Sequence, residues 1–160
     1  MSLLPSRDNK MDYSFGINSL EKYWEAAQKK AHDFLADDLN ESLAIECAQY
    51  LWHLCDWYYQ ERQSEIPYNQ LSDLKGAFGK ECQSLRVMRD VCNGSKHAGL
   101  DGTNNPVIRK TALHEGAFSA AFSSGFDATM LEAMLVDGTT VAFYEEVRKC
   151  LDFWRLKLNP

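Results

Sequence analysis

Residues 85–100, LRVMRDVCNGSKHAGL, mark the point where the chain changes character. Upstream, apolar residues recur every three or four positions, as buried helices require; downstream, glycines, asparagines and short alternating runs replace that period. Leu71, Leu74, Phe78, Cys82, Leu85 and Met88 keep the helical spacing, which predicts one helix from Asn69 or Gln70 to about Cys92, weakened at Gly76 and Gly79. Gly94 is placed to end it as a left-handed cap. If the helix runs on instead, Arg89, Asn93 and His97 stack at four-residue intervals.

Two helices are expected before this stretch. Asn18, with Glu21 three residues on, is a capping-box-like start for a helix to about Ala36, whose apolar stripe is Leu20, Trp24, Ala27, Ala31 and Phe34. The second runs from about Glu41 to Glu61. Leu43, Cys47, Leu51, Leu54 and Tyr58 form its main apolar face and Ile45, Trp52 and Tyr59 a neighbouring one, so it should be central. Its polar residues fall on a narrow line, Glu46, Gln49, His53, Asp56 and Gln60, which faces either water or an interior cleft.

After His97 the pattern is that of strands. Val107–Leu113, Ala117–Ser123 with Phe118 and Phe122, Thr129–Val136 and Thr139–Ala142 read as three or four short strands, with Asp137-Gly138 as a hairpin turn. A last helix from about Phe143 to Leu158 carries Val147, Cys150, Leu151, Trp154 and Leu158 on its apolar face. The predicted fold class is α+β, mainly α: an antiparallel bundle of about four helices, with a small antiparallel β-meander at about 106–142 inserted before the C-terminal helix. Residues 1–17 read as a flexible arm and 18–160 as one domain.

The composition is that of a globular chain, 45% hydrophobic and 25% charged over 160 residues. A net charge of -6 argues against nucleic-acid binding by bulk electrostatics and leaves room only for a locally basic surface, for which Arg86, Arg89, Lys96, Arg109 and Lys110 are the candidates. No apolar run reaches the ~20 residues of a membrane span, no signal pattern opens the chain, and a cytoplasmic protein is expected. The five cysteines, none in a CxxC pair, read as small buried hydrophobes in a reducing compartment.

Chemistry concentrates in residues 86–97. Arg89 offers a permanent charge and a planar fork suited to phosphate, and His97 a proton exchangeable near neutral pH. Held together, they suit phosphodiester cleavage, with His97 moving the proton and Arg89 stabilising the transition-state charge. Asp90 could orient either. Asn93, Lys96, His53 and Asp56 are the candidate substrate-binding residues. Two other readings stand beside this one: a structural Asp56–Arg89 ion pair between helices, and a divalent-metal site from His53, Asp56 and His97. No metal and no cofactor are expected.

At RDVCNGSKH, Arg89–His97, the chain resembles the HEPN superfamily, compact helical domains that include metal-independent RNases of toxin and defence systems. WHLCDW at Trp52–Trp57 together with RDVCNGSKH is similar to a bacterial family with the patterns WHxxDW and RDxxNxxKH. The resemblance covers two helices. It implies cleavage or binding of RNA, with Arg89, Asp90 and His97 in the catalytic places, and a homodimer joining two half-sites through exposed aromatics, with Tyr58, Tyr59 and Trp154 as candidates. The rival class is a non-catalytic module that binds a nucleotide or a protein partner.

Overall fold

The computed structural model describes residues 15–99, 105–116 and 128–159. Among these, five helices and three strands follow in the order α1 (Leu20–Ala36), α2 (Glu41–Arg62), α3 (Leu71–Glu81), α4 (Gln83–His97), β1 (Ile108–His114), β2 (Met130–Leu135), β3 (Thr140–Ala142) and α5 (Phe143–Leu158). The fold is mainly helical α+β with the small sheet before the last helix, as expected. The expected strand at Ala117–Ser123 and most of the N-terminal arm lie outside the described residues.

α2 is the hub. Eight of its residues, among them Leu51, Leu54 and Cys55, are buried, and the helix packs against α1, α3, α4 and α5. Asn40 caps it by accepting from Leu43 N at 3.1 Å. α1 starts one residue later than Asn18 implied: Ser19 Oγ accepts from Lys22 N, and the Leu20 amide donates to Glu61 at the far end of α2. Tyr23 stacks on both Tyr50 and Trp57, at 5.2 and 5.1 Å, closing α1 onto α2.

The expected third helix is two helices. At Cys82 the backbone is extended (φ -134°, ψ 98°). Its amide closes α3 on Phe78 O, and its carbonyl opens α4 by accepting from Leu85 N. Gly79 lets Arg86 lie close beside this joint, because a Cβ there would come within 2.9 Å of Arg86 Cγ and the arginine side chain would have to shift. Of the two ends weighed for this helix, the run-on is found and the stop at Gly94 is not. α4 continues through it to His97, and the left-handed residue is Ala98 (φ 54°), followed by a Gly99 N to Gly94 O closure at 3.0 Å.

The sheet is antiparallel in the order β1-β2-β3. Asp137-Gly138 turns β2 into β3, with Gly138 at φ 91° and Asp137 Oδ1 accepting from the Thr139 amide at 2.9 Å. Between Ile108 and Lys110 the register shifts, so Arg109 is the extra residue of a β-bulge and is exposed. Tyr58, Tyr59 and Trp154, expected as exposed interface aromatics, are interior instead: Trp154 is fully buried, Tyr59 nearly so, and Tyr58 packs on Phe78 and Trp154.

Candidate functional site

Asp90 is the residue that joins the two halves of the fold. It is 2% exposed. One carboxylate oxygen accepts from the amides of Val107 at 2.6 Å and Ile108 at 3.0 Å, and the other accepts from Arg89 Nε at 2.8 Å, with Nη2 of the same guanidinium 2.7 Å away as an ion pair. Among the described residues β1 is an edge strand, and Asp90 takes up the amides of its first residue and the one before it. Arg86 and Arg89 both donate to Asn105 O, at 3.3 and 3.1 Å, strapping the chain that enters β1 onto α4. Asp90 therefore holds Arg89 and the sheet.

Because α4 runs unbroken to His97, Arg89, Asn93 and His97 share one side of it. Eight residues of helix nevertheless separate Arg89 from His97 by about 12 Å along the axis and about 80° around it. The two lie on the same broad face of α4, two turns apart, and Arg89 is already engaged with Asp90 and Asn105. His97 is exposed at the end of the helix, as is Lys96.

The polar line of α2 is divided among three neighbours. Glu46 takes Lys30 of α1 at 2.6 Å. Asp56 takes Lys75 of α3, not Arg89, so the expected Asp56–Arg89 pair does not form. Lys75 Nζ sits 2.9 Å from Asp56 Oδ2 but off the line of a hydrogen bond, and that oxygen has no hydrogen bond at all. The ammonium also lies 5.0 Å from the centre of the Trp52 ring. His53 Nε2 is 3.7 Å from Cys92 Sγ of α4. His53, Asp56, Lys75, Cys92 and Lys96 thus form one electrostatically coupled group at the α2–α4 seam. Lys75 and Cys92 were not expected in it, because nothing in the spacing of α3 indicates that Lys75 reaches α2. Among the described residues no three His, Cys, Asp or Glu side chains gather as metal donors, so the reading of His53, Asp56 and His97 as a metal site has no support.

The group is neutral at its centre. Partial desolvation at the seam lowers the pKa of the otherwise exposed His53 imidazole, Asp56 opposes it, and Lys75 and Lys96 lower it further. Burial raises the Cys92 thiol. A neutral imidazole beside a neutral, covered thiol is not an activated nucleophile. It does give a pH dependence. A histidine whose pKa is lower folded than unfolded lets the unfolded chain take the proton first, so stability falls as pH drops below about 6.5. Urea midpoints at pH 7.0 and 5.5 should show a larger acid loss in the wild type than in His53→Gln.

Charge is segregated along the chain. α4 carries three cations against one carboxylate and β1 two cations against none, together +4 in a chain of total charge -6, which leaves -10 on the rest. Lys96, Arg109 and Lys110 are exposed and make no ion pair among the described residues. β1 leaves α4 at Asp90, so Arg109 and Lys110 follow directly on the Arg86–Arg89–Asn105 strap. No family model, curated protein or solved structure matches the chain. No helix of the described residues is long and apolar enough to cross a membrane.

Proposed function

We propose that the protein binds RNA through the sugar–phosphate backbone, using the surface formed by α4 and the start of β1. Lys96, Arg109 and Lys110 supply free cations, Arg86 and Arg89 a partly engaged pair of guanidinium groups, and Asn93 and His97 hydrogen-bonding groups along the same helix. The observation that carries this reading is the charge segregation: an acidic chain keeps a basic, exposed, largely unpaired strip on two consecutive elements. The HEPN-like pattern at Arg89–His97 supports RNA over other polyanions, and with it a cytoplasmic location and a pair of copies in solution.

Cleavage on the same surface is a second reading, favoured by the exposure of His97 on the face shared with Arg89 and Asn93. Binding is the stronger, because Nε and Nη2 of Arg89 are already engaged with Asp90 and Asn105 and its side chain is only 16% exposed.

Fluorescence anisotropy with labelled single-stranded RNA tests the proposal. Lys96→Ala and Arg109→Ala should each weaken binding by about 1 kcal/mol, roughly fivefold. Arg148→Ala, an exposed cation of α5 that lies over Tyr144, should leave it unchanged. Equal affinity in all four proteins would reject the surface. On a denaturing gel, fragments formed by the wild type and not by His97→Ala would move the reading from binding to cleavage.

A further inference from the structure

Three of the four tryptophans, Trp24, Trp52 and Trp154, are buried, and Trp57 alone stays half-buried at the surface of α2. It ends a stack of three rings. Tyr23 of α1 lies between Trp57 and Tyr50, at 5.1 and 5.2 Å and within 21° of parallel to each. At the Tyr50 end stands Lys30, 6.0 Å from the ring centre and paired with Glu46. At the other end Tyr23 is the one ring in contact with Trp57 among the described residues, so one face of the indole meets no other ring.

The stack borders the seam between α2 and α4. Tyr50 and Trp57 stand one turn to either side of the exposed His53, and His53 Nε2 lies 3.7 Å from Cys92 Sγ of α4. Lys96 is one turn beyond Cys92 and about 40° around the helix from it, turned toward Arg89 and Asn93. The surface therefore runs from the cations of α4, over Lys96 and His53, to Trp57.

Given the basic strip as the RNA surface on which this inference rests, we propose that the bound RNA is single-stranded at this end, and that an unpaired base leaves the backbone beside Lys96 and stacks on the open face of Trp57. Charge assigns the two parts of a nucleotide to the two ends. Lys96 is exposed, makes no ion pair among the described residues and suits a phosphate. Asp56 is matched by Lys75, and Glu61, one turn beyond Trp57, holds the Leu20 amide. A carboxylate one turn from the indole disfavours a phosphate there and tolerates a neutral base. A base inside a duplex has both faces covered by its neighbours, so the one that reaches the ring is unpaired. Every base has a π-face, so the stacking asks for no particular sequence.

The test is fluorescence anisotropy with a labelled uridine oligomer and with the same oligomer made abasic, which keeps the phosphates and removes the bases. The wild type should bind the uridine oligomer about fivefold more tightly. Trp57→Leu should lose that preference and keep the wild-type affinity for the abasic oligomer. The uridine oligomer should also quench part of the wild-type tryptophan emission, since Trp57 alone of the four indoles is within its reach, and the abasic oligomer should not. That measurement decides if Trp57→Leu does not fold. Equal binding of the two oligomers without quenching overturns the stacking and leaves the strip in place. A preference that survives in folded Trp57→Leu overturns the assignment to Trp57. Binding of neither oligomer by the wild type removes the strip, and the stacking with it.

Discussion

Asp90→Ala is expected to cost about 3–5 kcal/mol of folding stability, a large share of the roughly 5–15 kcal/mol that holds a domain of this kind together. The substitution removes one carboxylate and strands three partners. The Val107 and Ile108 amides, in a buried setting, lose their acceptor, and the Arg89 guanidinium loses its counter-charge. Asp90→Asn keeps the shape but can present only one oxygen, so either the amides or Arg89 goes unserved. About 2–3 kcal/mol is expected. Urea unfolding measures both. Hydrogen exchange separates the cause, since Val107 and Ile108 amides should lose protection more than those of α2. A loss under 1 kcal/mol in Asp90→Ala would return Asp90 to the surface and its catalytic reading.

Trp154→Ala should cost a comparable 3–5 kcal/mol. The ring is fully buried, packs at 5.8 Å on Phe78, 5.3 Å on Phe153 and 6.0 Å on Tyr58, and donates from Nε1 to Leu51 O of α2 at 3.0 Å. Phe78 stands at the centre of this group, touching Tyr68 as well, and Lys157 closes it from outside while pairing with Glu81. The cluster is where α2, α3 and α5 meet. Trp154→Phe keeps most of the volume and loses the hydrogen bond, for an expected 1–2 kcal/mol at about the scale of one buried bond plus a small void. Near-equal stability of the Ala and Phe variants would mean that this contact does not anchor α5.

Much of the architecture could be read from periodicity. α5 begins and ends where its apolar face does, α2 differs from expectation by one residue, and Asp137-Gly138 makes the hairpin its chemistry demands. The break at Cys82 was hidden for a physical reason. A single extended residue lets Leu85 and Met88 resume the apolar phase of Leu74 and Phe78, so the pattern runs on while the helix does not. Gly94 left the end of α4 open between a stop and a run-on, and the run-on is found. Its roughly 1 kcal/mol helix cost is small beside the packing that carries α4 past it, and the left-handed turn falls on Ala98 instead.

The candidate site was legible as residues and not as partnerships. That Arg89, Asp90 and His97 sit close along the chain was plain, as was the shared face of His53 and Asp56. The partners of Asp90 come from residues 17 and 18 positions later, where the chain returns as β1, and those of Asp56 come from α3. Such pairings depend on how helices cross, which local spacing does not record. The structure accordingly makes Asp90 the clamp between α4 and the sheet, and of the basic residues on α4 and β1 it leaves Lys96, Arg109 and Lys110 exposed.

The salt dependence of RNA binding tests the proposed role of that basic strip most directly. For the wild type, the logarithm of the association constant should fall linearly with the logarithm of salt concentration, with a slope near -0.7 for each phosphate contacted. In Lys96→Ala/Arg109→Ala the slope should flatten by about 1.4, the share of two contacts. An unchanged slope in the double variant, or no RNA binding by the wild type at low salt, would contradict the account.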